Sequence, residues 1–249
     1  MEYNKVYLIM GSSSDIGVEL IHKLNEHQCN SLFICHYFSS SEKLKQIEAQ
    51  NGNNIACVQA DLADIEQTQR LIIDVQDRFG VPTHIVHLPA TTIKYQRYKD
   101  FDWSSFQVDF EVQVHSILEI CKTFLPVMAK RKSYNKIVIM LTSYTLDTPP
   151  KFLSHYVIAK YALLGLLNAI AVEYADKRVN INGISPSMME TKFLGSIDPR
   201  YIEMAKETTI EKRLLQVEEV VPSIEFLLSD QSNSIHGTNL NISGGNTIL

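Results

Sequence analysis

Short apolar runs alternate with segments of helical periodicity almost from end to end of the chain. The apolar runs predict strands at Val6–Met10, Leu32–Tyr37, Ile55–Gln59, His84–His87, Ile137–Leu141, Asn180–Ile184 and Asn239–Ile242. The periodic segments predict helices at Ile16–Glu26, Glu42–Gln50, Ile65–Phe79, Trp103–Met128, Ser154–Ala175 and Val217–Leu228. Strands that are apolar throughout suit a sheet covered on both faces, and alternation of strands with helices gives parallel order. The pattern therefore predicts an α/β fold with a doubly wound, mainly parallel sheet of seven strands.

Residues 1–249 are expected to form a single domain, because the chain lacks internal repeats and has no linker rich in Pro, Gly or Ser. Residues 187–213 are the longest stretch between a predicted strand and the next strong helix. The mixture of Met188, Phe193 and Tyr201 with charged residues suits a small helical lid over a substrate site. It suits a packed surface helix equally well.

The composition excludes several kinds of partner. Charged residues make up 20% of the 249 positions and the formal net charge is −5, which gives no attraction to nucleic acid or anionic membranes. The apolar run before Gly11 is too short for a signal peptide or a membrane span. Neither histidines nor cysteines show metal-ligand spacing. We therefore expect a cytoplasmic protein with no nucleic-acid partner, no membrane partner and no metal.

A glycine-rich turn joins the first strand to the first helix, in the sequence Gly11-Ser-Ser-Ser-Asp-Ile-Gly17. Such a turn exposes backbone N–H groups and a helix N-terminus, where a pyrophosphate can bind. An ordinary loop rich in helix-capping residues is the alternative. Asp61 follows the third strand, where its carboxylate can accept a hydrogen bond from an adenine amino group. Together these features favour a Rossmann dinucleotide-binding domain.

The end of the second strand predicts which dinucleotide binds. An acidic residue there would bind the ribose 2′-hydroxyl of NAD, but the chain continues from Tyr37 without an acid before Glu42. The hydroxyls of Ser39 and Ser40, or the imidazole of His36, can accommodate a 2′-phosphate instead. The chain is therefore expected to use NADP(H) in preference to NAD(H), although no arginine stands beside them.

Three polar residues near the fifth strand point to proton transfer. Ser143 follows that strand, and Tyr156 and Lys160 come next at a spacing that places them on one helix face. An unperturbed tyrosine has a pKa of about 10, and a neighbouring ammonium lowers it by stabilising the phenolate. A serine hydroxyl can hydrogen-bond a carbonyl oxygen as it gains negative charge. This set predicts a general acid that acts on a carbonyl group.

In this order along the chain, the motifs resemble the short-chain dehydrogenase/reductase family in its compact form, and most of all its 3-oxoacyl-carrier-protein reductases. The resemblance implies that Tyr156 exchanges the proton, that Ser143 positions the carbonyl, and that Lys160 tunes Tyr156 and binds the nicotinamide ribose. It gives Gln113 the place of a helix asparagine in a proton relay. The cofactor contacts that it implies are Gly11, Ser13, Ser14, Asp15, Ile16, Gly17, Tyr37, Ser39, Asp61, Leu62, Pro89, Ala90, Tyr156, Lys160, Pro186 and Thr191.

The chain departs from the family pattern at several positions. The usual glycine-rich motif has threonine and glycine where this chain has Met10 and Asp15, and the usual Asn-Asn-Ala-Gly segment is His87–Ala90. Asp tolerates left-handed turn geometry, so cofactor binding is expected to survive. Gln113 keeps an amide but adds a methylene, so a water relay to Lys160 is expected to be shifted or weakened.

The predicted substrate pocket is mostly apolar, which favours an acyl chain or ring. Its expected residues are Tyr95, Tyr144, Leu146, Leu153, Met188 and Phe193. The run Lys130-Arg131-Lys132 suits either the docking of an acidic carrier protein or the charge of a helix C-terminus. Helix Ser154–Ala175 has more apolar surface than one core face needs, and the resemblance implies pairing of such helices. A homo-oligomer, dimer or tetramer, is therefore expected.

Three functions agree with these features. The first is a carbonyl reductase acting on a small-molecule or carrier-bound 3-oxoacyl thioester or a polyketide-like intermediate. The second is an NAD(P)-dependent dehydrogenase of secondary or cyclic alcohols. The third is a nucleotide-sensing or scaffold protein with little turnover, which only Gln113 and the His87–Ala90 segment favour.

Overall fold

A computed structural model of the protein describes residues 3–27, 30–51 and 54–248. Its sheet contains β1 (Lys5–Met10), β2 (Ser31–Tyr37), β3 (Ile55–Gln59), β4 (His84–His87), β5 (Asn135–Met140), β6 (Val179–Pro186) and β7 (Asn239–Ile242). All neighbouring strands are parallel, in the order β3-β2-β1-β4-β5-β6-β7. The predicted doubly wound α/β sheet is confirmed, and the strand order reverses between β1 and β4.

Helices alternate with these strands. They are α1 (Asp15–His27), α2 (Glu42–Asn51), α3 (Ile65–Phe79), α4 (Trp103–Phe110), α5 (Ser116–Met128), α6 (Ser154–Glu173), α7 (Pro199–Thr208) and α8 (Val217–Leu228). The predicted helix Trp103–Met128 consists of two α-helices, α4 and α5, joined by a π-helix at Glu111–His115. Helix α7 lies in the segment 187–213, where a small helical lid or a packed surface helix was expected, although its bounds were not predicted. It begins with Asp198 capping the N–H of Arg200, and Pro199 occupies its first turn.

Two apolar layers cover the sheet, one on each face. Alternate residues of β1 belong to different layers, because successive strand side chains point to opposite faces. Leu8 packs with residues of α3, α5 and α6, whereas Ile9 packs with residues of α1, α2 and α8. The last four residues of β1 are buried on both faces, which explains why this strand is apolar there rather than alternating.

Helix α6 is long and apolar enough to cross a membrane by length and composition alone, and among the described residues no other helix is. Its buried residues include Leu163 and Leu167, which pack in the apolar layer against the sheet. It also carries Lys160, which is 1% exposed. The apolar composition of α6 is therefore explained by its packing against the sheet.

Residues 187–213 contain a short 3-10 helix at Lys192–Ser196 and helix α7. A small apolar cluster centred on Leu194, Ile197 and Leu214 packs this segment onto the chain. Tyr95 belongs to the same cluster, and its ring stacks on Tyr201 with 4.6 Å between centroids. The segment is therefore helical and packed, and its movement as a lid stays a prediction.

Candidate active site

A cavity of about 830 Å³ opens at the carboxyl ends of the strands, next to the reversal between β1 and β4. Ligands of doubly wound sheets bind at such a switch point. Of the predicted site residues, the cavity is lined by Gly11, Ser13, Ser14, Asp15, Ile16, Asp61, Leu62, Pro89, Ala90, Tyr156, Lys160, Pro186 and Thr191. Gly17, Tyr37, Ser39, Gln113 and Ser143 do not belong to its wall.

The glycine-rich turn is held in place by His36 on β2. Gly11 has a φ of 72°, which favours glycine, and its N–H donates to Nδ1 of His36 at 3.1 Å. The other ring nitrogen, Nε2, lies 3.1 Å from the carbonyl oxygen of Ala60. The imidazole is therefore neutral, and burial lowers its pKa to about 4. Because both nitrogens are engaged, His36 is not available to a 2′-phosphate, contrary to the prediction.

Gly17 allows the first turn of α1 to pack closely against the backbone of Ser12. A Cβ atom at this position would lie 2.6 Å from both Cα and the carbonyl oxygen of Ser12. The backbone N–H of Gly17 donates to the Ser14 hydroxyl at 3.1 Å, and that hydroxyl donates to the Gly11 carbonyl at 2.8 Å. Any larger residue at Gly17 would displace α1 from the turn.

Asp15 joins three segments around the cavity. The Lys43 ammonium on α2 lies 2.9 Å from Oδ1, and the backbone N–H of Lys192 donates to Oδ2 at 2.9 Å. Burial alone would raise the pKa of the Asp15 carboxyl, but the Lys192 N–H and the Lys43 ammonium hold it below its usual range. Asp15 thus connects the phosphate-binding turn to α2 and to the start of the segment 187–213.

Tyr156 and Lys160 lie one turn apart on α6, and both line the cavity. The Lys160 ammonium donates to the Met140 carbonyl at 2.8 Å and lies 5.7 Å from the centroid of the Tyr156 ring. Burial lowers the pKa of Lys160 to about 7 and raises the pKa of Tyr156 to about 12. Burial therefore dominates the pKa of both groups, and the lowering of the Tyr156 pKa by Lys160 stays a prediction. A tyrosine that keeps its proton at neutral pH is suited to donate it.

Two hydroxyl residues follow β5, and they are placed differently. Thr142 lines the cavity, and its side chain acts to lower the pKa of Tyr156, although burial outweighs this effect. Ser143 is buried, and its carbonyl accepts from the N–H groups of Leu146 and Asp147 at 2.9 and 3.1 Å. Its hydroxyl makes no hydrogen bond to the residues that the structure describes. The predicted role of Ser143 toward a substrate carbonyl stays a prediction.

Gln113 lies in the π-helix between α4 and α5 and is 1% exposed. Its carbonyl oxygen lies 2.8 Å from Nε2 of His87, and burial lowers the pKa of His87 to about 3. The neutral imidazole therefore donates to the carbonyl, while the Gln113 side-chain oxygen has no partner among the described residues. In the family pattern asparagine occupies the position of His87, so this contact belongs to the divergent segment His87–Ala90.

The far end of the cavity is apolar, as the sequence predicts. Tyr144, Leu153, Met188 and Phe193 belong to its wall, together with Ile93, Val108, Val112 and Leu194. Tyr95 and Leu146 do not line it, since Tyr95 stacks on Tyr201 instead. This lining suits an aliphatic or ring substrate rather than a sugar.

Behind the cavity lies a buried cluster that sequence analysis missed. The hydroxyl of Thr91, a wall residue, donates to Oδ1 of Asp109 on α4. Nδ1 of His155 lies 3.6 Å from Oδ2 of the same carboxylate. The His155 ring packs against Phe101 and Phe106, with centroids 4.1 and 5.8 Å away. The cluster fixes the start of α6, and the one signal in the sequence is that His155 precedes the predicted catalytic tyrosine.

The basic run after α5 has a structural role at its centre. The Arg131 guanidinium donates to the carbonyls of Pro82 and Val81 at 2.7 and 2.5 Å and to Oδ1 of Asn135 at 2.9 Å. Only Lys130 and Lys132 stay exposed. Arg131 is therefore not available to the predicted docking surface.

A dinucleotide-type turn and a protonated tyrosine at one cavity are the parts of a nicotinamide-dependent oxidoreductase. The family model described as enoyl-(acyl carrier protein) reductase matches residues 11–247. The chain belongs to the short-chain dehydrogenase/reductase family, whose members bind NAD(P)H, and it is an oxidoreductase of that family.

Two curated relatives illustrate the likeness. Oxidoreductase UcpA of Salmonella typhimurium is 28% identical over 98% of this chain and 95% of its own length. Acetoacetyl-CoA reductase of Allochromatium vinosum is 24% identical, over 97% of this chain and 98% of its own length.

The fold is likewise shared with solved structures. The 3-ketoacyl-(acyl-carrier-protein) reductase of Brucella melitensis, complexed with NADH, has a TM-score of 0.87 at 18% identity, over 99% of both chains. A short-chain dehydrogenase/reductase of the same organism, named glucose/ribitol dehydrogenase, has a TM-score of 0.86 at 20% identity, over 99% of this chain and 98% of its own. At these identities the likeness shows the fold alone.

Proposed function

We propose that this protein is an NADP(H)-dependent carbonyl reductase whose substrate is a 3-oxoacyl thioester or a similar apolar keto compound. The observation that carries the proposal is the placement of a protonated Tyr156 beside the buried Lys160, where the turn and the apolar wall meet in one cavity. Acetoacetyl-CoA reductase, one of the relatives, bears the name of such a reaction.

The wall residues fit a nicotinamide dinucleotide. Gly11 supplies the positive φ of a tight turn, and Gly17 permits a contact that any Cβ would block. Asp61 and Leu62 would flank the adenine, and Pro186 and Thr191 would lie beside the nicotinamide. The cofactor supplies a hydride when bound.

Tyr156 would complete the reduction. As the carbonyl carbon gains the hydride, the π electrons move to oxygen, and that oxygen takes the proton from the Tyr156 hydroxyl to give the alcohol. Lys160 then stands beside a phenolate, which its ammonium stabilises. Because the pKa of Tyr156 is about 12, the phenol form, which is the form that reduction requires, predominates at neutral pH.

A substrate panel tests this proposal. Acetoacetyl-CoA, a longer 3-oxoacyl thioester, a cyclic ketone and crotonyl-CoA would each be mixed with NADPH or NADH, and absorbance at the reduced nicotinamide band would be followed. We expect oxidation of NADPH with the 3-oxoacyl thioesters, faster for the longer chain because the far wall is apolar. Turnover of crotonyl-CoA alone would instead indicate an enoyl reductase.

Two other outcomes would replace the proposal. Oxidation of cyclic alcohols with NAD, without ketone reduction, would support the alcohol dehydrogenase. Tight binding of a dinucleotide without any turnover would support the sensor function.

Cofactor preference depends on Lys43. Ser40 and Lys43 both line the cavity near the end of β2, so a 2′-phosphate would meet a hydroxyl and an ammonium there. We expect Lys43→Met to raise KM for NADPH about tenfold, the loss of one charge-assisted hydrogen bond, and to leave KM for NADH within about twofold. The measurement is initial rates with both cofactors.

Lys45→Met is the matched control, because Lys45 is exposed on the same helix and does not line the cavity. Equal changes in the two KM values of Lys43→Met, or a wild-type preference for NADH, would contradict the assignment of NADP(H). Glu42 and Asp15 also line this rim, and they are the residues that would favour NADH.

We further propose that the chain acts in the cytoplasm as a homo-oligomer, with residues 1–249 as one domain and 187–213 as its lid. Apolar side chains are exposed on α4 and α6, with Trp103 at 62%, Ile158 at 43% and Val172 at 80%. Such a surface is typical of contact between protomers. Sedimentation measurements would distinguish a monomer from a dimer or tetramer.

A further inference from the structure

The short 3-10 helix in the segment 187–213 is capped by a residue from outside that segment. The helix covers Lys192–Ser196, and the residue before it, Thr191, makes no side-chain capping hydrogen bond within the described part of the chain. The first N–H groups of a helix have no carbonyl partner inside the helix and need another acceptor. For the N–H of Lys192 that acceptor is Oδ2 of Asp15, at 2.9 Å. A carboxylate 177 positions away therefore takes the place of the local cap.

The Asp15–Lys192 hydrogen bond lies where the cofactor and substrate parts of the cavity meet. Thr191 precedes Lys192 and Phe193 follows it, and both line the cavity. The chain just before Thr191 is anchored separately, because the N–H of Glu190 donates to the carbonyl of a residue ahead of α8 at 2.9 Å. The wall around Phe193 is therefore fixed on one side by this backbone contact and on the other by the glycine-rich turn.

Lys43 makes a carboxylate compatible with this turn. An uncompensated anion at the N-terminus of α1 would repel a pyrophosphate that binds there. The Lys43 ammonium lies 2.9 Å from Oδ1 of Asp15 and offsets its charge, and the Lys43 side chain is 44% exposed. An ammonium has three N–H donors, so it can bind Asp15 and a cofactor phosphate together. The Asp15–Lys192 hydrogen bond is therefore compatible with a bound dinucleotide.

We propose that Asp15 is a positioning residue for the substrate wall, whose carboxylate fixes the start of the segment 187–213 to the phosphate-binding turn and so holds Phe193 against the chain of an acyl substrate. This inference rests on the proposed reductase function. The usual family motif has glycine at this position, and glycine has no side chain that could cap Lys192. The departure of this chain from the motif thus acts on the substrate wall.

The hydrogen-exchange rate of the Lys192 amide tests the hydrogen bond without any turnover. Asp15→Ala removes both carboxylate oxygens, so we expect this amide to exchange at least about tenfold faster than in the wild type. Asp15→Asn keeps one acceptor and should have an intermediate rate. Asp198→Ala is the matched control, because Asp198 caps α7 in the same segment and does not line the cavity. It should leave the exchange rate of the Lys192 amide within about twofold.

Substrate binding tests the consequence of this hydrogen bond. Kd for acetoacetyl-CoA and for the longer 3-oxoacyl thioester would be measured with saturating NADP⁺, which carries no hydride to transfer, and KM and kcat would be measured with NADPH. In Asp15→Ala we expect Kd and KM of the longer thioester to rise about tenfold with kcat within about threefold, because the catalytic residues are kept. Values for acetoacetyl-CoA should change less than about threefold, since a short chain reaches less of the apolar wall. KM for NADPH should not rise, because Lys43 is kept and a negative charge is removed.

Several results would overturn the inference. They are a Lys192 amide that exchanges at the wild-type rate in Asp15→Ala, an equal acceleration in Asp198→Ala, or equal rises in Kd for the two thioesters. A rise in KM for NADPH as large as that for the longer thioester would also overturn it, because the effect of Asp15 would then lie in the turn. Absence of turnover in the wild type, with an exchange rate and Kd values that respond as expected, would overturn the reductase function alone. A wild type that binds neither thioester would overturn both.

Discussion

Replacing Tyr156 by phenylalanine is expected to lower the rate of carbonyl reduction about a thousandfold, while the affinity for NADPH stays within about twofold. The variant removes only the hydroxyl that would protonate the carbonyl oxygen, and positioned general acids contribute about 10²- to 10⁴-fold. The ring that packs in the cavity wall is kept. The measurement is kcat with the best substrate of the panel, together with a fluorescence titration of NADPH binding.

Tyr98→Phe is the control, because Tyr98 is 78% exposed and also loses only a hydroxyl. It should have wild-type kcat. A Tyr156→Phe protein that retains more than about a tenth of the wild-type rate would remove Tyr156 from the mechanism and would require another proton donor at the cavity.

Acidification from pH 7 to pH 5 is expected to lower the free energy of unfolding by about 6 kcal/mol. Burial lowers the pKa of His36 to about 4, and of His84 and His87 to about 3, from 6.5. The unfolded chain therefore binds more protons than the folded chain between pH 6.5 and these lower values. The contribution of these neutral histidines to the free energy of unfolding is complete above pH 6.5. It falls with the pH, and at pH 5 each histidine has lost about 2 kcal/mol.

This loss is comparable with the whole stability of a typical domain, about 5–15 kcal/mol. Urea titrations at pH 7, 6 and 5 measure it directly. His87→Asn should make the dependence shallower by about a third, because one titrating group is removed. His22→Ala, at an exposed position on α1, should leave the slope unchanged. A free energy of unfolding that is constant between pH 7 and 5 would contradict the neutral state of these buried rings.

Sequence patterns predicted the strands well because strands such as β2 and β5 are buried on both faces and are therefore largely apolar. They predicted a helix within residues 187–213 but not the bounds of α7, because the buried residues of its cluster, Leu194, Ile197 and Leu214, all lie outside the helix. They also predicted one uniform helix over Trp103–Met128, because periodicity over a long window averages out a single π turn.

The candidate site was predictable where its residues are neighbours in the chain. The turn from Gly11 and the pair Tyr156 and Lys160 carry their own spacing, and the structure brings them to one cavity. Contacts between distant segments could not be predicted. Asp15 meets Lys192 across 177 positions, and that pairing depends on how the sheet brings chain segments together. The high pKa of Tyr156 likewise follows from burial, which sequence spacing does not reveal.

The π-helix also determines which changes of length this chain tolerates. A π turn holds one more residue than an α turn, so deletion of one residue within Glu111–His115 would restore an ordinary helix. Since the deleted residue would be the extra one, α4 would keep nearly its present orientation relative to α5. Phe106 and Asp109 would still face His155, whereas deletion of one residue from a purely α-helical stretch rotates its two ends by about 100° relative to each other. Among relatives, a gap of one residue is therefore expected to be tolerated better in this segment than elsewhere in the helix, and alignments should place it here.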